Sequence, residues 1–130
     1  MRKSFSTLGL LALLACAWAL PAGAHPAAAH ATTVTVTAGK PSEFKFTLST
    51  KSVKAGPVTF KVTNGGAIPH DFTLCNTGGA ANSCKGKATP LISGGSSKTL
   101  TVALKKGTYE YLCSVPGHAA AGMKGQIKVT

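Results

Sequence analysis

The chain has 130 residues, room for one ordinary domain and not for two. Its 44% hydrophobic and 13% charged residues exclude a disordered polyelectrolyte, and its 15 Gly and 7 Pro follow no repeat, which excludes a collagen-like fibre. Lys and Arg number 14 against 3 acids, a formal net charge of +11 that favours an anionic partner: nucleic acid, a membrane surface or an acidic protein.

The chain opens with Arg2 and Lys3, then an almost wholly apolar run from Leu8 to Leu20, then Pro21 and the small residues Ala22-Gly23-Ala24. That order predicts a secretory signal peptide over 1–24, with export to the periplasm or the cell exterior. The apolar run falls short of the roughly 20 residues that span a bilayer. A lipoprotein cut before Cys16 is the alternative, and the continuation of the apolar run past Cys16 argues against it. Residues 25–31 are Ala-rich and aperiodic, a flexible leader. Cleavage would make His25 the amino-terminal residue, able to bind metal through amine and imidazole, but Pro26 has no amide to add; no role is read for His30.

From residue 32 onward the pattern is of short strands. Thr32–Thr37 is β-branched and alternating, and Phe44–Leu48 and Val58–Thr63 alternate apolar with polar. Phe72–Leu74, Leu100–Leu104, Tyr109–Cys113 and Gln126–Val129 complete seven candidates, with turn residues between them. No window carries a helical period, so residues 32–130 read as one all-β sandwich. Phe44, Phe46, Phe60, Phe72, Tyr109 and Tyr111 are expected in its core.

The segment Asn76–Ser97 is long and polar and reads as a loop, bracketed in its first part by Cys75 and Cys84. In an oxidising compartment two of the three cysteines left after cleavage can pair. A Cys75–Cys84 bridge closes a short loop, worth roughly 2.5–3 kcal/mol in the chain-entropy model. Alternation places His70, Phe72 and Leu74 on one face and Asp71, Thr73 and Cys75 on the other, so Cys75 is expected to point out as a surface staple. A metal-loading dithiol is the alternative use of that pair.

The remaining chemistry falls in two windows. One runs Asn64-Gly-Gly-Ala-Ile-Pro-His70-Asp71-Phe72; the other runs Cys113-Ser-Val-Pro-Gly-His118-Ala-Ala-Ala-Gly-Met123. The spare Cys stands five residues before a His, which stands five before the one Met of the domain. Two imidazoles, a thiolate and a weak axial thioether form the blue-copper ligand set. Thiolate binds Cu(II) covalently, thioether favours Cu(I), and a near-trigonal site changes little on one-electron transfer. Structural zinc sites do not use thioether. A Cys–His nucleophile is an alternative, but no orienting group is apparent beside it.

On these residues the chain resembles the cupredoxins, the plastocyanin, azurin and auracyanin family of small blue copper proteins, over roughly Thr32 to Thr130. Gly107-Thr-Tyr-Glu-Tyr-Leu-Cys113 is similar to the family's strand entering the ligand loop, and Gly122-Met123-Lys124-Gly125 to its exit. The resemblance implies a Greek-key sandwich of about seven to eight strands. It implies one copper ion held by His70, Cys113 and His118, with Met123 axial. Asp71 stands where the family usually has Asn or Ser, a residue that latches the ligand loop and offers its amide to the sulfur; an ionised carboxylate cannot donate. Pro116 has no amide, so the loop's hydrogen bond to sulfur is expected from Val115.

Function follows as an expectation: an exported electron carrier, not an enzyme, cycling between Cu(I) and Cu(II). His118 is flanked by Pro116, Gly117, Ala119, Ala120 and Ala121, and His70 by Ala67, Ile68 and Pro69, a flat apolar patch suited to transient docking. Lysines, with only Glu43, Asp71 and Glu110 to offset them, predict a redox partner with an acidic docking surface (a cytochrome, oxidase or reductase) or an anionic membrane surface. Nucleic acid is disfavoured because no Arg survives cleavage, and a monomer is expected. The alternative function is a copper carrier or sequestering protein of the cell envelope.

Overall fold

The computed structural model describes residues 31–76 and 84–130. The expected signal peptide, nearly all of the leader and residues 77–83 lie outside the described residues.

Nine strands are described: β1 (Thr32–Ala38), β2 (Phe46–Leu48), β3 (Ser52–Val53), β4 (Gly56–Asn64), β5 (Thr73–Cys75), β6 (Gly86–Ala88), β7 (Ser97–Leu104), β8 (Gly107–Leu112) and β9 (Lys124–Val129). They form two sheets, in the orders β2-β1-β4-β7 and β3-β9-β8-β5-β6. The chain passes from sheet to sheet between β2 and β3, β3 and β4, β4 and β5, β6 and β7, and β7 and β8, which gives the non-local strand order of a Greek-key sandwich.

Alternation sets the inner faces. In β1 Val34, Val36 and Ala38 are fully buried, and in β4 Val58, Phe60 and Val62 are. These two strands run parallel with Val34 opposite Phe60 and Val36 opposite Val62, so both present their apolar residues to the same side. Across the core Phe72, Leu74, Tyr111, Ile127 and Val129 close the second sheet over them. Each such side chain contributes about 1.5–3 kcal/mol on burial.

The seven strands read from the sequence are present, and two more were not legible. β3 is only two residues long. β6 is exposed at all three positions and so carries no apolar period, although it pairs with β5 along its length. The stretch read as a loop is therefore partly structured, and it also holds Ile92, fully buried and bridged to His70.

Two expectations are corrected. Phe44 lies outside β2 and is 37% exposed; alternation extends back to it, but the chain has already left the sheet. Cys75 does face away from the main core, yet it is not a surface residue. It packs with Leu112 and Ala119 in a second, smaller cluster, because the ligand loop folds over that outer face.

Candidate metal centre

Strand pairing brings the two sequence windows together. β5 runs antiparallel to β8 with Thr73 opposite Leu112, so the residues just before β5 and just after β8 meet at one end of the sandwich. β9 starts at the same end, with Lys124 opposite Leu112. His70, Cys113 and Met123 are thus placed by register.

The loop from Cys113 to Met123 is closed by its own backbone. Cys113 N–H donates to the Met123 carbonyl at 3.0 Å, Met123 N–H to the His118 carbonyl at 3.0 Å, and His118 N–H to the Val115 carbonyl at 3.1 Å. Gly117 and Gly122 take φ of 86° and 106°, left-handed conformations that let the turn close this tightly. His70 is held from the other side, exchanging both backbone hydrogen bonds with Ile92 at 3.1 and 2.7 Å.

The Nδ1 atoms of His70 and His118 lie 3.1 Å apart, and Cys113 Sγ lies 3.4 Å from the His118 nitrogen and 3.9 Å from the His70 nitrogen. A point equidistant from these three atoms is about 2 Å from each, close to the ~2.0–2.3 Å of metal bonds to imidazole nitrogen and thiolate sulfur. His70, Cys113 and Met123 are fully buried and His118 is 8% exposed. Met123 packs with Cys113 in a small cluster that also includes Ala38, Phe46 and Val115. A soft thiolate, two imidazoles on one point and a thioether alongside form the donor set that suits copper cycling between two oxidation states.

Cys113 Sγ accepts from the backbone N–H groups of Asp71 and Val115, as expected of Val115. Burial pushes the metal-free thiol up to about 11, against the opposing effect of these two donors. Burial also lowers the His118 imidazole, and the neighbouring His70 adds to that. Both effects mark a pocket hostile to a bare thiolate and a bare imidazolium. The Asp71 side chain latches the loop by accepting, not donating. Its Oδ1 takes the Ser114 N–H at 2.6 Å, and its Oδ2 takes the Ser114 hydroxyl and, at 3.4 Å, the Thr73 hydroxyl.

Two contributors had no sequence signal. Glu43, in the β1–β2 connection, places Oε1 3.0 Å from His70 Nε2. The same carboxylate accepts the backbone N–H groups of Ala67 and Ile68 at 3.0–3.1 Å. Those two amides, then the His70 ring, hold the Glu43 carboxyl down at about 2. Asn64, read from sequence only as a strand end, is fully buried. It donates to the Ile68 and Ile92 carbonyls at 2.8 and 2.7 Å and accepts from Gly66 N–H at 2.8 Å, shaping the segment that leads to His70.

At the surface above the site lies a groove of about 460 Å³ lined by Ile68, Pro69, Asp71, Leu91, Ser114, Val115, Pro116 and His118. The apolar patch expected around His118 therefore exists with a different membership. Ala119 turns inward and is buried, while Leu91, from the segment read as a polar loop, is 62% exposed on the rim. Phe44 meets the His118 ring edge-on at 5.0 Å.

Comparison with known proteins agrees with this geometry. Auracyanin A, a "blue" copper protein of Chloroflexus aurantiacus, is similar at 27% identity with a TM-score of 0.61, covering 78% of this chain and all of that one. Reduced rusticyanin is similar at 28% identity and a TM-score of 0.61, covering 75% of this chain and 78% of that one. The copper-resistant cuproprotein CopI of Rubrivivax gelatinosus is 32% identical over 98 residues, which span 65% of this chain and 59% of that protein. Residues 32–130 match the model of the copper-binding proteins of the plastocyanin/azurin family. With the paired imidazoles, the buried thiol and this match in hand, the chain belongs to that family, and copper is its cofactor.

Proposed function

We propose that the protein carries single electrons on one type 1 copper ion, with His70, Cys113 and His118 as strong ligands and Met123 as the weak axial one. One observation carries this reading: three donor atoms converge on a point about 2 Å from each in a buried pocket whose loop is fixed by its own backbone bonds. A donor set held this firmly resists rearrangement when the charge on copper changes. Copper supplies the one-electron couple; the chain's residues fix its ligands, exclude water and bring the His118 edge to the groove.

The groove around His118 is the proposed exit for the electron, with Lys124 beside Met123 and Lys85 and Lys87 on and beside β6 favouring an acidic redox partner. Residues 1–24 act as an export signal in this proposal, residues 25–31 as a leader and 32–130 as the copper domain, which works as a monomer and not as an enzyme.

The test is a visible spectrum and electron exchange of the copper-loaded protein. An intense thiolate-to-copper band that is lost in Cys113→Ser, together with reversible one-electron voltammetry, is the expected result. A colourless copper complex would overturn the reading. The name of the CopI relative favours a second function, copper handling in resistance. Ready release of copper to a chelator would support that function, and retention of the metal against the chelator would support electron carriage.

A further inference from the structure

We propose that Glu43 is a positioning and tuning residue of the copper centre: its carboxylate fixes the ring of His70 and biases the site toward the oxidised metal. This rests on the copper reading above.

The geometry is that of a built contact. Glu43 is 27 positions from His70 in the chain, so no local turn explains its place. Its Oε1 stands 3.0 Å from His70 Nε2, the ring nitrogen turned away from Cys113. The carboxylate is itself oriented, by the Ala67 and Ile68 amides. Gly66 makes room for it: a Cβ at that position would lie 2.3 Å from Oε1. Four residues of one segment, Gly66, Ala67, Ile68 and His70, thus agree on where this carboxylate sits.

The chemistry has two parts. An acceptor at Nε2 keeps the proton on that nitrogen, which leaves the Nδ1 lone pair free to face the metal. A full negative charge behind the ring also makes the imidazole a stronger donor. Cu(II) gains more from that than Cu(I), so the carboxylate lowers the reduction potential. Asp71, the other carboxylate near the site, is hydrogen-bonded to Ser114 and Thr73, so its charge acts on His118 through space without fixing an imidazole ring. The Glu43 side chain is 32% exposed, so water screens part of its charge.

The deciding experiment compares wild type, Glu43→Gln and Glu43→Ala. Glu43→Gln keeps an acceptor oxygen and removes the charge. Its equilibrium constant for reduction by a fixed one-electron mediator should rise about tenfold, which is 59 mV for a one-electron couple, with the visible band retained. Because the contact is direct, the rise should persist in about 0.5 M salt. In metal-free protein, nitrogen-15 spectra should show His70 with its proton on Nε2 in wild type and Glu43→Gln, and a tautomer mixture in Glu43→Ala. A Glu43→Gln constant within twofold of wild type, or below it, overturns the tuning role. An unchanged His70 tautomer in Glu43→Ala overturns the positioning role. If Glu43→Ala does not fold, the Glu43→Gln constant decides alone. Wild-type protein without the visible band would instead overturn the copper reading, so the two failures are distinguishable.

Discussion

Replacing Asp71 tests whether an acceptor-only latch holds the ligand loop. The carboxylate takes the Ser114 N–H at 2.6 Å, the Ser114 hydroxyl, and the Thr73 hydroxyl at 3.4 Å, and Asp71 is 6% exposed. Hydrogen bonds to a charged group contribute ~1.5–3 kcal/mol each, and stranded buried partners add to the loss. Ser114 is exposed and can turn to water, and the Thr73 bond is long, so the sum is discounted to about 3 kcal/mol for Asp71→Ala. At ~4–8 °C per kcal/mol, a domain of this size should lose about 15 °C in melting temperature. Asp71→Asn keeps one acceptor oxygen for the Ser114 N–H, and its amide can donate to the Ser114 oxygen. It should cost only about 1 kcal/mol. Urea unfolding of the metal-free proteins measures both. An Asp71→Ala stability within about 0.5 kcal/mol of wild type, or an Asn variant weaker than the Ala one, would refute the latch.

Three further outcomes are expected. Met123→Leu should keep copper and colour while raising the reduction potential, roughly tenfold in the reduction equilibrium or ~59 mV, because the oxidised ion loses a weak donor; voltammetry reads it, and loss of the metal would make Met123 a structural requirement. In the metal-free protein the Glu43 carboxyl is lowered from 4.5 to about 2, so its share of stability is complete above about pH 4.5 and disappears as the pH falls toward 2. Acid unfolding should therefore begin less steeply in Glu43→Gln than in wild type, and superimposable curves would contradict the shift. Leu91→Glu, on the rim of the groove, should slow electron exchange with an acidic partner several-fold and leave the potential unchanged; stopped-flow rates across a salt series would show an unaffected rate if the groove is not the docking face.

The ligand set was legible because its residue types are scarce and chemically particular: two His, one spare Cys and one Met are hard to place otherwise. The strands with one buried face were legible for the same kind of reason, since Val34, Val36, Val58, Phe60 and Val62 carry a period of two. What escaped carried no period and no rarity. Glu43 is one acid in a turn, and only the fold brings it to His70. Asn64 ends a strand in the manner of many turn residues, and its buried hydrogen bonds depend on segments 28 and fewer residues away that the sequence does not align. Leu91 lies within the Asn76–Ser97 stretch read as a polar loop, and no period marks it out. Phe44 and Cys75 were misplaced because alternation tells which side of a strand a residue takes, but not where the strand ends or what covers its outer face.

Because Thr73 pairs with Leu112, it is the pairing of β5 with β8, strands far apart in the chain, that brings His70 to Cys113. The contiguous segment from Cys113 to Met123 carries three of the four donors by itself, and Cys113, Cys75 and Cys84 are alternative disulfide partners of one another. Of the three pairings open to those sulfurs, the native one between Cys75 and Cys84 alone leaves the thiol of Cys113 free. By joining Cys75 to Cys84 and burying Cys113, the sandwich acts as its own guardian of that thiol and keeps the sulfur available to a metal.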